Sequence, residues 1–429
     1  MLRSSLFALL MGSVLFLGGC DFLQVDNPND LVEEDLNDPA AASTMANGAE
    51  ASLTRAMIDM IGPYAVAGDE AKWIGSRDPW GQIEQGGFNA PLNEWNNRIY
   101  EFVAEARWTA DEYIRRLENF RENDQLTSNR PLIRVYMYAA ILRINIADKY
   151  DNVVFSDRQD AGEPIGEENM SQLYDTAVQH VNSALDLSPE DDLRKILLGL
   201  RAQAKFNQGI WEKVNPRGDV NVENPLVNRP EAASDAEQAL ELMEEDFRYQ
   251  LILQPDLDLV PFDQAFADHL NQRRELDFGD EIGERVSGES FNVTLEDPID
   301  NVPQPFLQER IDEFIASDQF ADHTVVSARE MHLIRAEVAL SQGNTDAFQT
   351  HINAIRALDG LSEYTGQIPE QEMLQHARRV NLFIQKRRLA DMYRFGVESP
   401  EWNDPSPAAQ QPGTFFPIPQ VERQANPNL

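Results

Sequence analysis

EMHLIRAEVALSQGNTDAFQTHINAIRALDG, residues 330–360, decides the fold. Apolar and small residues recur at helical spacing over Val326 to Gln342, Gly343 supplies a C-cap, and a second helical run follows over Thr345 to Ala357. The phrase has an earlier counterpart. Leu200-Arg201-Ala202 leading to Asn207-Gln208-Gly209 matches Ile334-Arg335-Ala336 leading to Ser341-Gln342-Gly343, and one offset relates Arg201 to Arg335 and Gly209 to Gly343. Small residues where two helices cross closely, then Gly, then another helix, are the physics of a tetratricopeptide-type hairpin. One such hairpin cannot bury its own apolar face, so several must pack around a shared core.

The rest of the chain agrees. Ile99, Phe102, Val103, Ala106, Ala110, Tyr113, Ile114 and Leu117 stripe one helix from Asn97 to Phe120, and Pro131 opens another that reaches Tyr150. Further helices are predicted over Met170–Leu187, Leu193–Gly209, Ala233–Gln250, Gln308–Asp318 and Gln371–Tyr393. No segment shows sustained period-two alternation. The fold class is mainly α: tetratricopeptide-like hairpins packed with an irregular, loop-rich ligand-binding region. That region spans residues 214–305, where NPRGDVNVENPLVNRP, DLDLVPFDQ and EDPIDNVPQPF interrupt short helical stretches. A second irregular stretch, Gly62 to Asn96, carries Trp73, Trp80 and Trp95. Loops this long in a compact protein usually carry function.

At the N-terminus, Arg3, an apolar run from Leu6 to Leu17, and Gly18-Gly19-Cys20 form a signal peptide of residues 1–19, too short for a permanent membrane span. Leu17-Gly18-Gly19-Cys20 fits the bacterial lipobox, making Cys20 the lipidated first residue of the mature chain. It is the one cysteine among 429 residues, so no thiol remains for a disulfide, a metal site or nucleophilic catalysis. Several acyl chains at about 0.8 kcal/mol per buried CH₂ would hold the protein on a membrane essentially permanently. Residues 20–40, acidic and rich in Asn and Pro, read as a tether. The net charge of -37 repels nucleic acid and anionic headgroups and excludes a nucleic-acid partner. Only six of the basic residues are Lys, a bias that fits both a high-salt surface and an Arg-favouring genome.

Catalytic constellations are missing from the sequence. The six histidines show no H-E-x-x-H spacing, and there is no P-loop, dinucleotide-binding glycine pattern, G-x-S-x-G elbow or EF-hand. Carboxylate pairs such as Asp191/Asp192 are background in a chain with 73 acids. No cofactor or metal is expected. Exposed aromatics remain, whose flat faces stack on sugar rings while polar neighbours bond the hydroxyls. Trp73 and Trp80, with Arg77 and Asp78 between them, and Trp211 at the edge of the irregular region are the candidate ligand-binding residues. The competing reading is that tryptophans are core anchors, and Trp95 and Trp108, at helix positions, are assigned to packing.

Taken in order, these segments resemble the SusD/RagB nutrient-binding outer-membrane lipoproteins. The lipobox leads into the acidic opening and an alanine-rich helix; RVYMYAAILRINIADKYDNVVF, residues 134–155, looks like the family's long helix and "fGdvP" turn, although Tyr150-Asp151-Asn152-Val153-Val154 lacks its Gly and Pro. Residues 330–360 are similar to its signature helix pair, with Glu330, Arg335-Ala336-Glu337 and Asn353-x-Ile355-Arg356. QKRRLADMYRFG and FFPIPQVERQANPNL are similar to its C-terminal end. The resemblance divides the mature chain into an N-terminal helical part (41–213), the loop-rich insertion (214–305) and a C-terminal helical part (306–429). It implies a lipid-anchored, surface-exposed outer-membrane protein without chemistry of its own. Such a protein captures a nutrient, often an oligosaccharide, for a SusC-like TonB-dependent β-barrel receptor. The alternative is a tetratricopeptide-like envelope scaffold with no small ligand.

Overall fold

A computed structural model describes residues 35–157, 160–253, 265–287 and 290–429. The signal peptide, Cys20, most of the tether and the DLDLVPFDQ loop lie outside the described residues. The first long helix, α1 (Ala42–Ala67), follows a turn capped by Asp38 and is buried almost all round along its second half, so it runs through the core. A short strand β1 (Ala71–Trp73) and the helix α2 (Asp78–Glu84) precede α3 (Glu94–Glu122), whose first turn is capped by the Asn93 side chain accepting from Trp95 N–H. Next come α4 (Arg130–Lys149), with Pro131 in its first turn, then α5 (Gln172–Asp186), α6 (Asp191–Val214) and α7 (Pro230–Leu240).

The insertion holds more order than its composition suggests. Besides α7 it contains β2 (Arg248–Leu251), α8 (Phe266–Asn271), β3 (Leu276–Phe278), β4 (Gly283–Ser287) and β5 (Ser290–Val293). The chain then runs through α9 (Pro305–Ala316), β6 (His323–Ser327), α10 (Ala328–Ser341), α11 (Thr345–Leu358), α12 (Glu370–Asn381), α13 (Arg388–Phe395) and two short C-terminal helices. Among the described residues the strands form three two-stranded antiparallel sheets, β1 with β3, β2 with β6 and β4 with β5.

Helix packing gives a stack of four hairpins: α1 with α3, α4 with α5, α6 with α7, and α10 with α11. Each pair leans on the next, α4 against α1 and α3, α6 against α5, and α10 against α7. The paired phrase is therefore a genuine repeat, with Ala202 and Ala336 fully buried in the first helix of the last two hairpins. Gly343 caps α10 in the left-handed region at φ 71°. Gly209, by contrast, does not end its helix: α6 continues to Val214, and the missing side chain admits Val227, whose Cγ1 would lie 2.6 Å from an added Cβ. The helix expected over Ala233–Gln250 stops at Leu240, where strand β2 takes over the later residues. The one expected over Gln371–Tyr393 breaks in two, because Ile384 and Lys386 adopt positive φ and send the Ile384 N–H to the buried Glu70 carboxylate.

The motif residues of 330–360 are architectural. Glu337 and Arg394 are both fully buried and paired, Glu337 also accepting from Val227 N–H at 2.9 Å. Arg356 forks onto Asp297 at 2.6 and 3.0 Å, and Asn353 bonds both backbone polar groups of Tyr364. His332 and His351, Nδ1 atoms 3.1 Å apart, link α10 to α11.

Candidate functional site: the Trp73 loop

Strand pairing sets this loop. Lys72 and Trp73 lie opposite Asp277 and Leu276, after which residues 74–76 leave the sheet and are exposed, with Ile74 unusually so for its type. One residue holds the turn. Ile74 and Gly75 N–H donate to the Glu275 carbonyl at 2.9 and 3.1 Å, while Ser76 and Arg77 N–H donate to Glu275 Oε2 at 2.8 and 3.0 Å. Gly75 is required there, since a Cβ would fall 2.1 Å from that carboxylate. Burial raises the Glu275 pKa, but the hydrogen bonds from Arg77 and Ser76 outweigh it and hold the carboxyl below its ordinary range.

Trp73 stands half-buried at the base of the loop, its backbone N–H donating to Glu84 Oε1 at 2.6 Å. Its ring lies on Gly81, where a Cβ would approach to 2.7 Å. Lys72 is ion-paired with Asp280. Arg77 bonds Glu94 at 2.6 Å and rests over the Trp95 ring, 4.5 Å from its centroid. Asp78 is exposed in the first turn of α2, where the helix dipole favours a carboxylate.

The structure thus brings Trp73, Arg77 and Asp78 to one rim and removes Trp80 from it. Trp80 is 1% exposed, stacked on Trp95 at 4.2 Å, with the His269 ring edge-on to both at 5.1 and 5.2 Å. Its expected sugar-facing role is corrected: the side chain is enclosed, with one face covered by Trp95 and the edge of its six-membered ring against α1 at Gly62, where an added Cβ would sit 2.9 Å away. Burial, then the charges of Arg273 and Arg77, lower His269 to about 3 and keep the ring neutral. Trp211 belongs elsewhere. It lines a small cavity of about 20 Å³ with Lys149, Tyr174, Arg387 and Phe415, room for about one water. The floor of that cavity is closed by Asp148, which accepts from Tyr174, Asn207 and Arg387 at 2.6, 3.0 and 2.6 Å.

Glu275 and Glu84 escape sequence reasoning. Each is one acid among 73, and Glu275 acts on residues some 200 positions earlier, so only the β1–β3 pairing reveals it.

No protein-family model matches the sequence, and no curated protein matches it. Solved structures do. A SusD superfamily protein from Bacteroides fragilis aligns with TM-score 0.64 at 13% identity over 91% of this chain and 99% of its own. One from Bacteroides thetaiotaomicron gives 0.64 at 13% identity over 91% and 98%. A SusD-like carbohydrate binding protein from Bacteroides vulgatus gives 0.60 at 15% identity over 91% and 97%. Over about nine-tenths of its length, this chain has the fold of the SusD superfamily.

Proposed function

We propose that this protein is a SusD/RagB-type surface lipoprotein that binds an oligosaccharide and passes it to a SusC-like TonB-dependent receptor in the outer membrane. The observation that carries the reading is end-to-end likeness to a protein described as SusD-like and carbohydrate binding. Among the described residues no helix is long and apolar enough to cross a membrane. The lipid on Cys20, expected from the lipobox, is the proposed attachment. The Trp73 loop is the docking point: an aromatic face for a sugar ring, with carboxylates around it to accept hydrogen bonds from its hydroxyls. The role is capture and release without covalent chemistry, and Kd values from mM to μM, about −4 to −8 kcal/mol, suit a cargo that must be handed on.

Co-purification from native membranes in mild detergent tests the receptor half of this reading. A stoichiometric TonB-dependent barrel protein is the expected companion. Recovery of other envelope proteins in its place would overturn the uptake role and favour the scaffold.

A further inference from the structure

We infer that the glycan held at the Trp73 loop is uncharged, and that carboxylated and sulfated chains are refused; the inference rests on the carbohydrate-binding reading of this loop. Recognition of an anionic sugar needs a cation or a concave set of N–H groups aimed at the ligand. Both are already committed within the protein. Five successive backbone N–H groups, from Trp73 to Arg77, are accounted for: the first goes to Glu84 and the other four to the carbonyl and carboxylate of Glu275. The turn that elsewhere would cradle a sulfate or uronate is filled by the protein's own carboxylate.

The side chains tell the same story. Lys72 and Arg77, the two cations of the loop, are bound by Asp280 and Glu94. Asp78 and Glu401 are exposed, the Asp280 side chain is 74% exposed, and Glu84 lies within the fields of both Glu401 and Asp280. With Glu275 and Glu94 these make six carboxylates to two cations among the described residues of the loop and its partners, so the balance of charge there is negative even after Lys72 and Arg77 are paired. Such a rim accepts hydrogen bonds from sugar hydroxyls and repels a second set of negative charges, most strongly at low ionic strength. The ligand chemistry that fits is an uncharged polyhydroxylated chain with one apolar ring face for Trp73.

The test is affinity electrophoresis of the full mature protein through gels containing single polysaccharides. Starch, mannan, xylan and β-glucan form the uncharged set; polygalacturonate, alginate and chondroitin sulfate form the anionic set. Retardation by at least one uncharged polymer is expected, changing less than about twofold between low salt and 0.5 M NaCl. Trp73→Ala should weaken it about tenfold or more, and Trp73→Phe, which keeps a ring, should retain most of it. Salt-sensitive, Trp73-dependent binding to an anionic polymer would overturn the inference while sparing the carbohydrate reading. Uncharged binding that survives both substitutions would move the ligand off this loop and overturn it too. Binding to neither set would defeat the carbohydrate reading itself, and this inference with it.

Discussion

Trp73 and Trp80 are seven residues apart and chemically identical, yet the structure gives them opposite roles. Trp80 fills the space between Gly62 and Trp95, so Trp80→Ala should cost about 3–5 kcal/mol of stability by cavity formation. Trp73→Ala should cost less than half as much in urea unfolding while abolishing most glycan affinity; equal losses for the two would contradict the division of labour. The sequence could not have separated them, because burial here depends on tertiary packing against α1, Trp95 and His269, the last of them far away along the chain. Glu70 presents a second residue-scale case. Buried at 2% exposure, it has one oxygen on Ile384 N–H, and burial raises its pKa to about 8 despite that bond. The folded pKa lies above the unfolded one, so this group's contribution to stability is complete below about pH 4.5 and is lost as pH rises through 8. Glu70→Gln keeps the acceptor and cannot ionise. Its urea midpoint should match that of the parent protein near pH 5 and exceed it at pH 9, and superimposable pH profiles would refute the assignment.

Among the elements, the final hairpin buries charged groups on both of its helices, Arg329, Glu330 and Glu337 on α10 and Arg356 on α11. Removing the Glu337 carboxylate leaves the Val227 N–H without its acceptor and Arg394 with only Asp391 of its two carboxylate partners, and Glu337→Ala should cost about 3 kcal/mol. One position from Ala336 on the same helix, Arg335 meets Glu237 at 3.2 Å with the acid more than half exposed. Glu237→Gln should therefore change stability by less than about 1 kcal/mol. If thermal denaturation ranked these two substitutions the other way, the buried web would not be what holds α10 in place. The hairpin itself was legible, since apolar spacing and Gly343 report local backbone preference. The strands were not, because elements of three to five residues are too short for a period-two signal. Nor was the break between α12 and α13, which is enforced by the Glu70 carboxyl group, just past the end of α1, accepting Ile384 N–H. Helix ends were least readable where a glycine served packing instead of capping, as Gly209 does under Val227.

For the molecule as a whole, the net charge of -37 means self-repulsion opposes compactness, and screening should raise the melting temperature between low salt and 1 M NaCl. A melting temperature that stayed flat or fell would show that the many ion pairs already neutralise this field locally. The division into an N-terminal part, 41–213, and a C-terminal part, 306–429, follows the sequence resemblance but does not follow the forces. Asp69 forks onto Arg388 at 3.0 Å through both oxygens, Asp148 takes Arg387 at 2.6 Å, and Asp151 accepts from Phe415 N–H at 2.8 Å. Lys149, 2% exposed, donates to the Lys386 carbonyl, and Phe416 stands edge-on to Tyr64 at 4.9 Å. Every one of these contacts joins the first part to the last. A fragment of residues 41–213 would lose these charged partners at once and present a large apolar face to water, a loss far above the roughly 5–15 kcal/mol that stabilises a domain. Expressed alone, it should keep helical far-UV dichroism but lack near-UV signal and a cooperative transition, whereas the full chain should unfold in one step by both probes. A sharp, reversible transition of the isolated fragment would mean that the two parts are independent domains and that the buried ion pairs only fasten them together.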